Sequence, residues 1–535
     1  MLRGPGRGPG LRRPRTPAAR DGGSPSGPAG RRRGLAPVKL SELLRHAGAL
    51  AVAGPDDAEV LDLRHDSRAV RPGDLFFALP GSKTDGNRHT REAVAAGAVA
   101  VVSELAAPPA PVSLPAAWVQ VADAALAMSR MADDFFRHPS GALPVVGVTG
   151  TNGKTTTTYF LESIAQAAGG RPGVVGTVDY RLGGSAVAAA PNTTPVSLEL
   201  QRLLARFRDA GATLAALEVS SHALALRRVE DVSFDAAVFT NLASDHLDFH
   251  KTREDYLRSK LHLFELLTDP AAAKPRNSAV INADDPAAGA VRRAAAGAEV
   301  ILYGLGGDAH CRGRIQELSP QGARFDILWR GRSLPARIQL TAQHNVSNAL
   351  AAAAAAFALG IPEAAVLRGL AALARVPGRL EPVTAGQDFS VLVDYAHTAM
   401  ALETVLGHLA AVPHRRLITV FGCGGDRDRS KRGPMGTAAC RGSDFAVVTS
   451  DNPRSEDPLA IIADIEAGIR TAGLKNYKIE PDRGRAIALA VGMAGAGDIV
   501  LIAGKGHEAV QIHKDRVEAF DDREAAREAL RSSDR

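Results

Sequence analysis

An apolar run, Leu143 to Val146, leads directly into G-V-T-G-T-N-G-K-T-T at residues 147–156. A strand that ends in such a loop and hands over to a helix is the build of a phosphate-binding turn. Glycines at 147, 150 and 153 let backbone N–H groups turn inward around phosphate oxygens, Lys154 brings a point charge, and Thr155 stands where the helix begins, ready for Mg²⁺. Gly150, Thr151, Asn152, Gly153, Lys154, Thr155 and Thr156 are therefore the candidate ATP contacts. The spacing is unusual, because the position five residues before the G-K glycine holds Val148 in place of Gly. A generic GTPase or transporter ATPase fits this loop less well than an ATP-using enzyme with its own loop variant.

The same alternation of apolar strands and helical stretches recurs along the chain. Leu143 to Val148, Leu214 to Val219, Ala236 to Thr240, Ser278 to Asn282 and Val300 to Tyr303 read as strands of a parallel sheet covered by helices. Ser390 to Val393, Leu417 to Phe421, Ala446 to Thr449 and Ile499 to Ala503 repeat the pattern after V-P-G-R-L, residues 376–380. Before Ser140, a strand at Asp74 to Leu79, a helical pattern at Glu92 to Ala98 and a strand at Val99 to Val102 make a smaller unit, with a Pro-rich loop around Ala106 to Pro115. The expected fold class is α/β with three domains, at 39–140, 141–376 and 377–535, behind a tail at 1–38.

That tail accounts for the chain's basicity. The 535 residues carry a net charge of +6, but residues 1–38 contain nine Arg and one Asp, which leaves the remainder slightly acidic. The positive charge thus belongs to a Pro/Gly/Arg-rich segment with too few apolar groups to fold, and no nucleic-acid partner is expected. The segment is expected to be a disordered extension or the product of a start codon placed too early, and it lacks the apolar core of a signal peptide. No apolar run reaches membrane-spanning length; Ala349 to Leu359 reads as a packed helix. Cys311, Cys423 and Cys440 are too few and too scattered for a disulfide framework or a metal site, which suits structural cysteines in a reducing cytosol.

In an open parallel sheet, ligands bind beyond the carboxyl ends of the strands. The polar motifs sit there: E-V-S-S-H (218–222) and T-N-L-A-S-D-H-L-D (240–248) in the middle region, then D-Y-A-H (394–397), G-C-G-G-D-R-D (422–428), D-N-P-R (451–454) and G-K-G-H-E (504–508) in the last. Two polar sheet edges facing each other suggest a cleft completed by domain closure. Glu218, at the end of an apolar strand near the phosphate loop, reads as a Mg²⁺ partner of Thr155 or as a helix-capping carboxylate. Asp245, His246 and Asp248 add an imidazole and two carboxylates, although either aspartate would also serve as an N-cap. D-N-P-R alone is equally an Asx-Pro turn with a solvated arginine. By residue type alone, Lys260 is a solvated helix lysine.

Taken together with Y-L-R-S-K-L-H-L-F (256–264), these motifs resemble the Mur ligase family of ATP-dependent amide-bond-forming enzymes, over about residues 39–520. The resemblance implies that Lys260 is carbamylated by CO₂, which turns a repelled ammonium into an anionic oxygen ligand. It implies two Mg²⁺ sites built from Thr155, Glu218, His246 and carbamylated Lys260, and catalytic roles for Lys154, Glu218, His246 and Lys260. D-S-R (66–68) and R-P-G-D-L-F-F-A-L (71–79) look like the family's uridine-nucleotide domain, with Ser67 as a contact. N-T-T-P (192–195), giving Asn192, Thr193 and Thr194, together with Ser220 and Arg228, matches contacts to a UDP-linked muramoyl dipeptide. Asn345, Arg379 and Asp394 match positions that touch ATP or move with the hinge.

Within the family, the branch that adds meso-2,6-diaminopimelate to UDP-N-acetylmuramoyl-L-alanyl-D-glutamate is the nearest. There the D-N-P-R arginine, Arg454, grips the distal carboxylate of the amino acid, a bidentate task suited to guanidinium. Arg427, Asp451, Asn452, Pro453, Gly504 and Glu508 match the remaining contacts, Glu508 standing for the distal ammonium. The implied reaction passes through an acyl phosphate in the bacterial cytoplasm, with small-molecule substrates only and a monomeric enzyme. The chain departs from the family pattern at Ala399 and Met400 after D-Y-A-H-T, at Leu226 before the dipeptide-binding arginine, and at Ala342 and His344, where Gly and Phe are common.

Overall fold

A computed structural model describes residues 36–81, 85–108, 116–243, 247–270, 274–275 and 277–533. The tail, all of it but its last three residues, and residues 109–115 of the expected Pro-rich loop therefore lie outside the described residues. Three sheets organise the rest, each α/β. The first has five strands in the order Ala49–Ala53, Ala117–Val121, Ala100–Ser103, Asp74–Phe77, Asp62–Arg64, all parallel except the first pair. Its core is closed partly by a helix from the next layer: Leu198 and Ala205 of Ser197–Asp209 pack with Phe77, Val102 and Phe135. Polar ties reinforce that seam, with Arg202 donating to Asp62 Oδ1 at 3.0 Å and Arg208 to the Phe136 carbonyl at 2.8 Å.

The central sheet has eleven strands. Pro172–Val175, Leu214–Glu218, Val145–Thr149, Ala236–Phe239, Ser278–Asn282 and Glu299–Gly304 lie side by side and parallel, in that order. Buried on both faces, these strands read as the continuous apolar runs that the sequence displays. The sheet is not parallel throughout, as the sequence suggested. Asp179–Leu182 and Ser185–Ala189 add an antiparallel hairpin at one edge. At the other edge Cys311–Ser319, Gly322–Trp329 and Arg332–Ile338 form an antiparallel meander. Only two residues join each of these last strands, too few for a crossover helix, so antiparallel pairing is forced. The second of those turns is Arg330-Gly331, with φ of 49° and 75°, the backbone that a tight hairpin demands.

The helix Gln343–Ala358 is a packed helix, as its alanines implied, and it starts six residues earlier than the Ala-rich run. Its alanines meet the sheet and the phosphate-loop helix Lys154–Ala167 in one apolar cluster with Phe160, Ile164 and Leu350. Ala342, just before it, holds φ of +75° and ψ of 149°, a region that essentially only glycine occupies without strain. The departure at this position is thus a backbone matter as well as one of packing.

The last sheet runs Glu381–Pro382, Ser390–Asp394, Ile499–Ala503, Leu417–Phe421, Phe445–Val448, Tyr477–Ile479, parallel apart from its first strand. A small hairpin, Val510–Ile512 with Val517–Ala519, follows it. Ala342 from the central layer packs in the same apolar cluster as Leu380, Leu402 and Phe421. His344 and His408 meet across the same seam with ring centroids 4.3 Å apart. All three cysteines are free and buried, and burial pushes the Cys311 and Cys423 thiols up to about 12, which makes them inert packing groups. Among the described residues no helix is long and apolar enough to cross a membrane.

Candidate active site

The phosphate loop leaves Val145–Thr149 and returns as the helix beginning at Lys154. Two of its glycines are required by shape. Gly150, at φ of +149°, would put a Cβ 1.8 Å from Thr240 Oγ1, and Gly153, at +88°, would put one 2.3 Å from Asn348 Oδ1. Gly147 does not belong to the turn: it lies in the strand, where a Cβ would sit 2.8 Å from the Phe234 ring, so it is a packing glycine. Lys154 Nζ reaches back to the carbonyls of Gly150 at 2.8 Å and Thr151 at 2.9 Å, which curls its charge over the loop. The neighbouring strand end pins the loop from outside. Thr151 N donates to the Asn241 carbonyl at 2.9 Å, Asn152 N to Asn241 Oδ1 at 2.9 Å, and Thr240 Oγ1 to the Asn152 carbonyl at 2.6 Å.

Glu218 ends the strand beside the loop and is buried. It accepts from Thr155 Oγ1 at 2.8 Å, from Thr177 N at 2.9 Å and from Thr177 Oγ1 at 2.9 Å. Such a cluster of a carboxylate and hydroxyl oxygens is the donor set that a hard cation takes, and it adjoins the start of the phosphate-loop helix. Thr177 carried no signal in the sequence, standing alone between two short strands. Thr193 Oγ1 lies 3.1 Å from Thr177 Oγ1, Thr194 Oγ1 donates to the Glu218 carbonyl at 2.7 Å, and Ser220 N donates to Thr194 Oγ1 at 3.2 Å. Arg228 donates to the Thr194 carbonyl at 2.8 Å, and the Asn192 carbonyl accepts from Tyr180 at 3.0 Å. Asn192, Thr193, Thr194, Ser220 and Arg228 are thus one cluster around Glu218. Ser67 opens the single helical turn Ser67–Ala69 that follows the strand Asp62–Arg64 of the first sheet.

Lys260 is only 1% exposed, on the helix Arg253–Thr268, with its ammonium 4.3 Å from the centre of the Tyr256 ring. The solvated position that residue type suggests is therefore incorrect; the apolar flank of the helix turns this lysine inward. Asp245 and His246 lie outside the described residues, as does the side chain of Asp248.

Asn345 is buried at the start of the Ala-rich helix, where its amide donates to the Thr341 carbonyl at 2.8 Å and its Oδ1 accepts from Asn348 at 3.2 Å. Asn348 thereby links Asn345 to Gly153, a connection invisible in a run of alanines. Arg379 lies with its guanidinium 5.3 Å from the centre of the Tyr395 ring. Asp394 accepts from Leu380 N and Ala396 N, both at 2.8 Å, so it ties the V-P-G-R-L segment to the strand end; burial raises its carboxyl above the ordinary range. His397 lies in the same corner, and burial lowers its affinity for a proton.

The loops of the last sheet converge at its carboxyl edge. Arg454 adopts φ of +52°, uncommon for a residue with a side chain. It is held there by its own N–H to the Ile512 carbonyl at 3.0 Å and by its guanidinium to the Gly425 carbonyl at 2.7 Å. Gly425 could not be another residue, because a Cβ would lie 1.9 Å from the Pro453 carbonyl oxygen. Asp426 accepts from Ser455, which joins the loop bearing the exposed Arg427 to D-N-P-R. Asp451 Oδ1 accepts from Asn452 N at 2.6 Å, and a Cβ on Gly504 would meet Asp451 Oδ2 at 2.8 Å. Asn452 Nδ2 donates to Glu508 Oε2 at 2.8 Å. Arg427, Asp451, Asn452, Pro453, Arg454, Gly504 and Glu508 therefore share one corner, with cationic and anionic side chains both at hand.

This is the architecture of a multidomain phosphate-loop enzyme, with a buried carboxylate at the loop and a second polar cluster, of mixed charge, on a separate sheet. Three family models match the chain: "Mur ligase family, catalytic domain" at residues 59–136, "Mur ligase middle domain" at 148–356 and "Mur ligase, glutamate ligase domain" at 378–506. A protein of Solibacter usitatus named UDP-N-acetylmuramoyl-L-alanyl-D-glutamate--2,6-diaminopimelate ligase is 48% identical over 496 residues, covering 92% of this chain and 98% of its own. A protein of the same name from Geobacter sulfurreducens is 47% identical, covering 93% and 99%. A solved structure under that name superposes with a TM-score of 0.67 at 33% identity, covering 94% of this chain and all of the other. The chain belongs to the Mur ligase family.

Proposed function

We propose that this protein is an ATP-dependent ligase that joins meso-2,6-diaminopimelate to UDP-N-acetylmuramoyl-L-alanyl-D-glutamate, making a peptidoglycan precursor. The observation that carries the reading is the corner where Arg454, Asn452 and Glu508 meet: a guanidinium for a distal carboxylate beside a carboxylate for a distal ammonium. The relatives' names agree with it. Residues 39–140 would receive the uridine nucleotide through Ser67, residues 141–376 the ATP and the dipeptide, and residues 377–535 the amino acid.

On this reading, Gly150 to Thr156 hold the phosphates of ATP, with Asn345, Arg379 and Asp394 serving the nucleotide and the hinge. Asn192, Thr193, Thr194, Ser220 and Arg228 align the dipeptide so that the side-chain carboxylate of its D-Glu faces the γ-phosphate. Phosphoryl transfer gives an acyl phosphate, which the amine of diaminopimelate attacks; the amide forms as phosphate leaves. Lys154 offsets charge where two anions meet. Thr155, Glu218, His246 and carbamylated Lys260 would hold two Mg²⁺ ions, whose chemistry is to neutralise the phosphate oxygens further. Arg427, Asp451, Asn452, Pro453, Arg454, Gly504 and Glu508 orient the incoming amine, so catalysis here is mainly positioning and electrostatics. The enzyme would act as a monomer in the bacterial cytoplasm.

The test is phosphate release with the UDP-linked dipeptide while the amino acid is varied. Release with meso-diaminopimelate far above that with lysine is expected. Equal release with both would overturn the specificity, and release with neither would overturn the activity.

A further inference from the structure

Lys505, the lysine of G-K-G-H-E, has no exposed surface. A buried ammonium needs partners for its protons, and here they all lie under the amino-acid corner. Lys505 Nζ donates to Asn452 Oδ1 at 3.0 Å and to the Val510 carbonyl, and stands 3.7 Å from Glu508 Oε2. Asn452 Oδ1 also accepts from Ile512 N at 3.0 Å. With two donors converging on its oxygen, the Asn452 carboxamide has one orientation open to it. Its NH₂ must face Glu508, and it donates to Oε2 at 2.8 Å. A flip of the amide would set NH₂ against the Lys505 ammonium and the Ile512 N–H, and oxygen against the Glu508 carboxylate.

The charge of Lys505 matters as much as its protons. Three carboxylates gather here: Asp451, Glu508 and Asp522. Asp522 is engaged by Arg483 at 2.6 Å, and Arg483 is also 4.0 Å from Asp451. Lys505 is the cation next to Glu508. Burial lowers its hold on its proton, while Asp451 and Glu508 act the other way. A cation behind Glu508 offsets the charge of that carboxylate from the protein side, and the Asn452 amide, bonded to Oε2, fixes how the carboxylate is turned.

We propose that Lys505 is a positioning residue for amino-acid selection: it locks the Asn452 amide and the Glu508 carboxylate in the geometry that recognises the distal ammonium of the diamino acid. The inference rests on the proposed reading of Glu508 as the ammonium contact. It predicts an effect confined to substrates that carry that ammonium. A residue that merely held the fold together would weaken all substrates alike.

The experiment compares the full-length protein with Lys505→Met and Glu508→Gln, using meso-diaminopimelate and 2-aminopimelate, which has both carboxylates and the reacting amine but no distal ammonium. Lys505→Met is expected to raise KM for diaminopimelate about 10-fold or more, the scale of one charge-assisted hydrogen bond, with kcat, KM for ATP and kcat/KM for 2-aminopimelate within about twofold. Equal losses for both amino acids, or no loss for either, would overturn the role of Lys505. Glu508→Gln separates the two layers of the argument. If it leaves the preference for diaminopimelate over 2-aminopimelate intact, the ammonium reading of Glu508 fails; if it abolishes the preference while Lys505→Met does not reduce it, only the present inference fails. Should Lys505→Met not fold, Lys505→Gln, which retains a buried donor without the charge, decides on the same ratio.

Discussion

Arg483 and Asp522 form a two-point ion pair, Nε to Oδ1 at 2.6 Å and Nη2 to Oδ2 at 2.7 Å, with neither side chain exposed. The same guanidinium donates to the carbonyls of Ser450 at 3.3 Å and Ala503 at 3.1 Å. Those carbonyls immediately precede D-N-P-R and G-K-G-H-E, so one buried cation spaces the two loops that build the amino-acid corner. Removing one partner leaves the other charge stranded. Asp522→Ala is expected to cost about 3–5 kcal/mol, read as a lower urea midpoint for unfolding of the last sheet, whereas Arg483→Met with Asp522→Leu should cost far less than the sum of the single changes. A shift below about 1 kcal/mol for Asp522→Ala would contradict a stranded guanidinium.

Glu218 accepts three hydrogen bonds at the mouth of the phosphate loop, two of them from Thr177 and one from Thr155. Glu218→Gln keeps the volume but replaces one accepting oxygen with a donor that faces hydroxyl and amide hydrogens. Turnover is expected to fall about 100-fold or more, the scale seen when one electrostatic element of a preorganised site is removed. The measurement is phosphate release with saturating substrates, alongside circular dichroism to show an intact fold. Unchanged turnover would remove Glu218 from the catalytic set.

Arg454 combines a strained backbone with a guanidinium aimed along the Gly425 carbonyl. Replacing it should act on substrate carboxylate recognition while sparing the distant phosphate loop. Arg454→Ala is expected to raise KM for diaminopimelate by roughly 30-fold or more, from loss of a charged hydrogen-bond pair, with KM for ATP unchanged. Lysine, which has no distal carboxylate, should be used about as poorly by the variant as by the parent. A variant that loses ATP affinity to the same degree would point to collapse of the loop instead.

The features legible in the sequence were those written in consecutive residues. The phosphate loop, the parallel strands at Ser278–Asn282, Leu417–Phe421 and Ile499–Ala503, and the polar motifs at their ends all follow from local pattern. The meander from Cys311 to Ile338 is not legible in local pattern, because a bulge between Ile315 and Glu317 breaks the alternation of its first strand, the second is buried along most of its length, and Pro335 interrupts the third. The hairpin Val510–Ile512 with Val517–Ala519 is equally hidden, because three-residue strands leave almost no periodicity. Arg483, Lys505 and Lys260 look like surface cations in any window of sequence. Their burial depends on partners such as Asp522, 39 positions from Arg483, and Asn452, 53 positions from Lys505, which only the folded chain brings together.

His344 and His408 stack across the seam between the central and last layers, with rings tilted by 31°. Burial, and secondarily the charge of His408, lowers the proton affinity of His344 to about 3; burial lowers that of His408 as well. In the unfolded chain His344 would titrate near 6.5, so between pH 6.5 and about 3 the unfolded state binds the extra proton. Stability is therefore full above pH 6.5, falls as pH drops through that window and levels off below about 3, by roughly 5 kcal/mol for this group. His344→Phe keeps an aromatic partner for His408 without a titratable ring. Its urea midpoint should lose part of the acid slope between pH 6 and 4 while matching the parent at pH 8; identical slopes would show that the pair does not contribute.

Lys260 is a buried lysine beside Tyr256, on a helix that passes near the phosphate loop through the Thr151 to Tyr256 contact at 3.1 Å. As an ammonium it would add positive charge next to the proposed Mg²⁺ sites; as a carbamate it would supply oxygen ligands of the opposite sign. Lys260→Ala is expected to lose turnover by at least about 100-fold, comparable to removal of another electrostatic element of the site. Short carboxylic acids such as acetate or propionate, entering the space left by the side chain, should restore part of it in a concentration-dependent way. The parent enzyme should gain nothing from the same acids, which separates replacement of the carbamate from a general salt effect. Loss of turnover with no rescue at any acid concentration would leave Lys260 a packing residue of its helix, and would count against the carbamate.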